Sequence, residues 1–312
     1  MQTTNTILMI KPIDFSFNEQ TAVDNEFQNK PEQEQVIINQ KANQEFENMV
    51  KTLKDNGINI LVLDKKLETN VPDAVFPNNW ISTEKDGTII TYPMATPNRR
   101  AEKNYLPDVK NLLVNNGFDI KNVINIGKTT EDSKFLEGTG SMIFDHAEKI
   151  VYISKSIRSD IDQLDNFMNV RSYKKSVIFS STSSNNKPVY HTNVVMSIGT
   201  KFAIICLESI KDKKERKKVK DSLEKHHQVI EISIDQMEKS FCGNILEVKN
   251  NNDESLIVMS ERAFNGFTNE QKEILSNFGK ILPINLQTIE DVGGGSARCM
   301  MAEIFCPKKK GC

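Results

Sequence analysis

The 312-residue sequence is poor in the groups that build metal and redox centres. It has four histidines, two of them the adjacent His226 and His227 in a stretch that reads as a polar helix. Its five cysteines (Cys206, Cys242, Cys299, Cys306 and Cys312) are an odd number and form no CxxC pair. That pattern excludes a disulfide framework and a zinc site and fits reduced thiols in a cytoplasm. No GxxxxGK or GxGxxG run is present, which removes the phosphate cradles of nucleotide enzymes. Charge of one sign is also lacking: 40 basic against 42 acidic residues leave a net charge of -2, unsuited to nucleic acid or a membrane surface. The lysine-rich run Lys211 to Lys220 is broken by acids and reads as a solvated helix face, and Lys308-Lys309-Lys310 as a frayed terminus. No apolar run approaches the roughly 18 residues of a membrane span, and no secretory h-region opens the sequence. The expectation is a cytoplasmic protein with no metal and no cofactor.

What is present is enough for a sizeable core: 38% hydrophobic and 26% charged residues describe a soluble globular chain. Period-two and period-3.6 patterns predict an ordered series of elements. Strands are expected at Thr6 to Ile10, Ile58 to Leu63, Thr88 to Tyr92, Phe118 to Ile126, Ser141 to Phe144, Ile150 to Ser154 and Ser176 to Phe179. Further strands are expected at Val194 to Ile198, Phe202 to Leu207, Val229 to Ile232, Asn244 to Val248, Ser255 to Met259 and Ile281 to Ile284. Helices are expected at Val36 to Asn56, Arg99 to Asn116, Asp160 to Val170, before His227, and at Thr268 to Phe278. The order strand, strand, helix, strand recurs at spacings of about 50 to 65 residues without residue-level repetition. Such a rhythm, with no long linker, predicts one α/β body of repeated units over residues 1–312. A doubly wound sheet competes, but the many short strand connections read as antiparallel.

Chemistry concentrates where polar residues interrupt strand ends. Near the C-terminus, Gly293-Gly294-Gly295-Ser296-Ala297-Arg298-Cys299 leads into the apolar run Met300 to Phe305, which reads as a buried strand with Cys299 at its mouth. A thiol held between a glycine loop and a strand, with Arg298 beside it to favour the thiolate, is a candidate nucleophile. Most cysteines beside apolar runs are inert core, so this stretch alone does not decide. Glu137 lies in Leu136-Glu137-Gly138-Thr139-Gly140, and His191 in Tyr190-His191-Thr192-Asn193 at the start of an apolar strand. Asp73, Asn78 and Asn79 surround the single tryptophan, Trp80. Taken singly, each has a bland reading as a core histidine, a solvated loop acid or a turn. Together, a cysteine, a histidine and a glutamate at strand ends make a thiol-imidazole-carboxylate set.

These residues carry a resemblance. GGGSARCM, LEGTG, YHTN, PDAVFPNNW and TPNRRAEK, in that arrangement over roughly residues 70 to 305, resemble the guanidine-modifying amidinotransferase and deiminase superfamily. Within it the chain is most similar to the citrulline ureidases. The resemblance implies a five-bladed α/β propeller of the pentein type with pseudo-fivefold symmetry, forming a single amidinotransferase-like catalytic domain. It implies Cys299 as nucleophile, His191 as general acid/base and Glu137 as the carboxylate holding the reacting nitrogens. It implies Asp73 and Asn79 as substrate contacts, and Arg100, with Arg99 as its alternative, and Arg158 as partners of the substrate α-carboxylate.

The departures point to the substrate. Guanidine-binding relatives commonly carry aspartate where this chain has Asn79, and several carry one at the place of Asn193. Many also place an aspartate at the position of Gly140. A cation favours two carboxylates, whereas an uncharged ureido group needs a donor for its carbonyl and an acceptor for its N–H, which asparagine supplies. A mispaired buried polar atom costs about 1 to 3 kcal/mol, enough to discriminate roughly 10- to 100-fold. The expected activity is hydrolysis of L-citrulline to ornithine, ammonia and carbon dioxide. The alternatives are an arginine deiminase or dihydrolase, an amidinotransferase that needs an amine acceptor, and a propeller that only binds an amino acid. The expected partner is a small amino-acid substrate, and a homo-oligomer is compatible with the sequence. Asn185-Asn186 and Asn250-Asn251-Asn252 read as surface turns, either of which would serve as a lid.

Overall fold

The structure, a computed structural model, describes residues 2–129, 133–171 and 173–309, so Lys310 and Cys312 lie outside the described residues. The described strands are β1 (Thr6–Ile10), β2 (Asn59–Leu63), β3 (Ile81–Thr83), β4 (Thr88–Thr91), β5 (Asn122–Asn125), β6 (Met142–Asp145), β7 (Ile150–Ser154) and β8 (Lys175–Phe179). They continue with β9 (Met196–Ile198), β10 (Phe202–Ile205), β11 (Gln228–Glu231), β12 (Leu246–Lys249), β13 (Ser255–Ser260), β14 (Lys280–Ile284) and β15 (Ala302–Glu303).

These strands form five three-stranded sheets, in the orders β15-β1-β2, β3-β4-β5, β6-β7-β8, β9-β10-β11 and β12-β13-β14. In every sheet the middle strand runs antiparallel to the first and parallel to the third. The antiparallel pairs within four of the sheets need only short connections. The parallel pairs need a crossover, and helices supply it. Helix Gln35–Asp55 joins β1 to β2, Ile161–Val170 joins β7 to β8, and Lys213–Leu223 joins β10 to β11. The first of these buries Ile38, Ala42, Phe46, Met49 and Leu53, one stripe at helical spacing. The first sheet is completed by the end of the chain, with Ile7 opposite Glu303 and Leu8 opposite Ala302. The α/β fold of repeated mixed sheets is therefore the one the pattern predicts.

The local differences have identifiable causes. The predicted helix Arg99 to Asn116 divides into Pro97–Ala101, a 3-10 turn at Glu102–Tyr105, and Leu106–Asn115, because Pro107 has no N–H to continue the ladder. The predicted strand Phe118 to Ile126 shortens to β5, with Phe118 making an isolated bridge to Lys308 instead. Val194 and Val195 belong to a helical turn, Thr192–Val195, rather than to a strand. Cys299 likewise sits in a 3-10 turn, Ala297–Met300, and the strand after it is only Ala302–Glu303. Residues 194–198 and 300–302 are buried throughout, so their sequence carries no period to separate turn from strand. His227 is buried beyond the end of its helix rather than set on a polar face. Short helices at Ile234–Ser240, Glu261–Gly266 and Gln287–Gly293 had no counterpart in the sequence pattern.

Candidate active site

The first strand of each sheet is preceded by a tight turn, and these lead-in turns carry the polar residues. Pro77–Asn79 precedes β3, Gly138–Ser141 precedes β6, Thr192–Val195 precedes β9 and Ala297–Met300 precedes β15. Before β12 the turn at residues 241–244 is closed by Asn244 N–H donating to the Phe241 carbonyl at 2.8 Å. The turn before β6 packs on those before β3 and β9, and the turn before β15 packs on that before β3. Five remote segments thus deliver side chains to one buried region.

Cys299 is 2% exposed, and its Sγ receives two amide N–H groups, from Asn193 Nδ2 at 3.3 Å and Asn244 Nδ2 at 3.2 Å. Its turn is anchored on both sides. Helix Gln287–Gly293 ends at Gly294 with φ at 64°, and Tyr190 Oη donates to the Gly294 carbonyl at 2.6 Å. Ser296 donates to Glu290 Oε1 at 2.5 Å, and Cys299 N–H donates to the Ser296 carbonyl at 2.9 Å. Burial pushes the Glu290 carboxyl up to about 7, against the Ser296 hydrogen bond and nearby Arg262. Arg298 does not act as the cation expected beside the thiol: its guanidinium donates to the Met301 carbonyl at 2.9 Å and to Glu303 at 3.1 Å. In a 3-10 turn consecutive side chains diverge by about 120°, so sequence adjacency does not make Arg298 a neighbour of the sulfur.

Glu137 and His191 meet at 2.8 Å between Oε2 and Nε2, both sealed from solvent. The second carboxylate oxygen accepts from Ala95 N–H at 2.9 Å, and Arg158 Nη1 lies 3.6 Å from the first. Burial raises the Glu137 pKa, but Arg158, the His191 hydrogen bond and Arg99 together outweigh it and hold the group well below the usual carboxylate range. Burial lowers the His191 pKa, and the Glu137 contact restores only part of it. An ionised carboxylate only accepts, so the neutral ring carries its proton on Nε2 and leaves Nδ1 as a base. Gly140 is required here by close approach: a Cβ on it would lie 2.3 Å from Asn79 Nδ2 and 2.8 Å from the His191 ring. No aspartate could occupy this position without displacing both.

The other expected site residues are distributed unequally. Asp73 is buried, and its Oδ2 accepts from Asn18 at 2.7 Å and Thr21 at 3.2 Å. Burial raises its pKa, with Arg99 and the Asn18 hydrogen bond opposing. Arg99 clamps Glu102 at 2.8 and 2.9 Å, the Phe76 carbonyl at 3.0 Å and Asn79 Oδ1 at 2.7 Å. Arg158 stacks over the Tyr190 ring at 4.9 Å and pairs through Nε with Asp24 at 2.7 Å. Arg100 instead donates to the Met94 and Ala95 carbonyls at 3.0 and 3.1 Å and lies over Phe135. Arg99 and Arg158 engage protein acids in this structure, and Arg100 binds the Met94-Ala95 segment, whose Ala95 N–H supports Glu137.

Several buried polar atoms in this region have no protein partner: Asp73 Oδ1, both side-chain atoms of Asn78, Asn79 Nδ2 and Asn193 Oδ1. Each such atom costs about 1 to 3 kcal/mol unless a ligand or water meets it, which makes the cluster a candidate binding site. Arginine only donates, so the contact with Arg99 fixes Asn79 with its oxygen inward and its Nδ2 donor toward the site. Sequence reasoning noted Asn78 beside Trp80 without giving it a role, and did not single out Asn244 or the loop at residues 15–31 that brings Asn18, Thr21 and Asp24 over Asp73 and Arg158. Asn78 adjoins Asn79 in the same motif, and Asn244 has the signature of the other turns, a polar residue beside glycine at a strand head. The loop lies in no helix or strand and had no periodic signal. The Asn185-Asn186 and Asn250 to Asn252 turns are part of no site contact, although Asn185 donates to Glu26 on that loop at 3.3 Å. Among the described residues no group of three or more His, Cys, Asp or Glu side chains could hold a metal ion.

Among solved structures, the chain resembles ArgZ, an arginine dihydrolase from the ornithine-ammonia cycle in cyanobacteria, with TM-score 0.71 and 17% identity. That likeness covers 98% of this chain and 41% of ArgZ, so the chain spans about two fifths of the full-length relative. The N-terminal domain of ArgZ bound to substrate matches with TM-score 0.69 and 16% identity, covering 96% of this chain and 97% of the domain. DDAH from Pseudomonas aeruginosa, complexed with citrulline, matches with TM-score 0.67 and 14% identity, covering 97% of this chain and all of the other. No curated protein sequence matches it. Residues 11–306 match the family described as N,N dimethylarginine dimethylhydrolase, eukaryotic. The chain belongs to that family, within the guanidine-modifying superfamily of amidinotransferases and deiminases.

Proposed function

We propose that the chain is a cysteine-dependent hydrolase of the ureido group of L-citrulline, yielding L-ornithine, ammonia and carbon dioxide. The observation that carries this reading is the uncharged lining beside Cys299. Asn79 presents an unpartnered donor and Asn193 an unpartnered acceptor, which complements a carbonyl flanked by N–H groups. A guanidinium offers no acceptor for the Asn79 donor. In this reading His191, held neutral by burial, takes the Cys299 proton through Nδ1 as Sγ bonds to the ureido carbon. The same proton goes to the departing nitrogen, whose bond to the carbon breaks. His191 then takes a proton from water, the oxygen attacks the carbon, and the C–S bond breaks. The first group to leave is ammonia or ornithine. Hydrolysis then releases the carbamate of the other nitrogen, which decomposes to carbon dioxide and ornithine or ammonia, and His191 returns its proton to the Cys299 sulfur. Glu137 orients His191, Asp73 and Asn78 contact the substrate, and Arg100, with Arg99 as its alternative, and Arg158 are the candidates for its α-carboxylate. Arg158 takes that role only if it leaves Asp24.

Hydrolysis of arginine is the second reading. The buried carboxylates of Asp73 and Glu137 favour it, since both could face a cation. We further infer that the five sheets are blades of one propeller, a single cytoplasmic catalytic domain without a cofactor. The pairing of β15 with β1, which joins the two ends of the described chain in one sheet, supports the propeller. Incubating the purified chain separately with arginine and citrulline, and assaying ammonia and ornithine, tests the substrate. Ornithine from citrulline and none from arginine is expected; citrulline accumulating from arginine would replace this reading with a deiminase.

A further inference from the structure

We propose that Asn244 is a catalytic residue: its side-chain amide and that of Asn193 form a two-donor cradle that stabilises negative charge on the Cys299 sulfur as its proton leaves. This rests on the reading of Cys299 as the nucleophile. The amide orientation is fixed independently of the sulfur. Asn244 Nδ2 donates one proton to the Asn193 backbone carbonyl at 3.1 Å, and a carbonyl can only accept. The second Nδ2 proton is then the one that meets Sγ at 3.2 Å. Asn244 Oδ1 lies farther away, at 3.6 Å, where it can accept from the protonated thiol. One side chain therefore serves the sulfur in both states, as acceptor before ionisation and as donor after it.

The surroundings are built to hold this amide. Asn244 is fully buried at the lead-in turn of β12, the position at which each of the other four sheets supplies polar groups to the site. The turn opens on Phe241, a buried residue with φ at 54°, in the left-handed region that bulky side chains avoid. Strain of this kind persists where packing over-determines it. Gly243 lies so close to the neighbouring turn that a Cβ would sit 2.1 Å from the Val194 carbonyl oxygen. The chemistry also needs such a cradle. Arg298 is engaged by Glu303, His191 is neutral, and an uncharged ureido substrate brings no cation to the sulfur. Two preorganised N–H dipoles are what remain to stabilise charge on Sγ as its proton passes to His191.

The test is alkylation by iodoacetamide at pH 7, in which the sulfur–carbon bond forms and iodide leaves, followed by mass spectrometry of the Cys299 peptide. N244L removes the donor while keeping the branch at Cγ, and N244D replaces it with an acceptor-only group of the same size. Cys299 should alkylate about tenfold or more slowly in N244L, and more slowly still in N244D. Turnover of citrulline should lose kcat with KM within about twofold, since the amide touches the sulfur. A folded N244L, with native unfolding temperature and native alkylation rate, would overturn the proposal. Should both variants misfold, the native chain supplies the reading. The Asn244 side-chain amide protons should shift with pH in the native protein and not in C299A, and their indifference to pH in both would be equally fatal. Alkylation requires no substrate, so a wrong choice of substrate leaves this result intact. Citrulline turnover with unchanged alkylation sinks the cradle alone.

Discussion

Two histidine–carboxylate pairs join the same two sheets, one at each end of β6. Just before that strand, Glu137 meets His191 at 2.8 Å; at its last residue, Asp145 meets His227 at 2.8 Å. Both pairs are almost fully buried. Their geometry alone does not distinguish a catalytic dyad from a structural staple. The difference is what surrounds them. Beside His191 lie the unpartnered amides of Asn79 and Asn193, and Asn193 reaches the Cys299 sulfur two residues along the chain. His227 has Asp145 as its recorded partner, the half-buried Glu148 faces His226 at 3.7 Å, and no thiol or amide cluster is present among the described contacts of His227. A hydrogen-bonded histidine thus marks an active site only when a nucleophile and unsatisfied polar groups share its pocket.

The comparison is broken most severely by removing the groups unique to one end. Cys299→Ala should abolish turnover with the unfolding transition intact, measured by ornithine release and thermal melting. His191→Gln should lower kcat by about 100- to 10,000-fold, the range for a lost general acid/base. His227→Gln should leave kcat within about threefold and lower the unfolding temperature instead, as expected for a staple that loses a buried charged hydrogen bond. Equal losses of activity from both would erase the distinction.

Substrate choice sharpens the same contrast. Asn79→Asp or Asn193→Asp places an acceptor where the ureido carbonyl needs a donor, or charge beside the sulfur. Each should lower citrulline kcat/KM by roughly 10- to 100-fold. Asn79→Asp should also improve the ratio of arginine to citrulline turnover. An unchanged ratio would detach Asn79 from specificity.

The smallest effects are on stability and its pH dependence. For Asp145, burial raises the pKa, but the His227 hydrogen bond, the Glu148 N–H and the neighbouring histidines together outweigh it and hold the group below its ordinary 3.8. A depressed carboxylate contributes stability above its unfolded pKa and loses it as pH falls, so acid unfolding should be shallower in Asp145→Asn. Glu290 runs the other way, since burial raises it from 4.5 to about 7. Its stabilising contribution is complete below pH 4.5 and is lost as pH rises through about 7. Glu290→Gln should therefore gain unfolding temperature relative to the native chain at pH 8 and little at pH 4. Parallel pH curves would contradict that assignment.

Much of this arrangement was legible in the residues. Strand β7 was predicted with its bounds, and the helix Gln35–Asp55 to within a residue, because alternation and a long apolar stripe leave little ambiguity. His191, Glu137 and Cys299 stood out by residue type beside glycine or asparagine, and the structure brings their segments together. The short turns did not, since Val194, Val195 and Met300 are buried whatever their backbone does. Nor did the partners of charge. Nothing in Arg158 announced Asp24, which lies 134 residues earlier, and nothing in Cys299 announced Asn244, 55 residues away. Long-range polar contacts are set by packing, and a single chain shows only their ends.

Trapping the covalent intermediate tests the central claim most directly. Citrulline labelled at the ureido carbon, mixed with the native chain and quenched in acid during turnover, should leave its label on the Cys299 peptide. The mass added would report whether ammonia or ornithine departs first. Ornithine released while all label appears as carbon dioxide and none on Cys299, even in a rapid quench, would contradict covalent catalysis by this thiol.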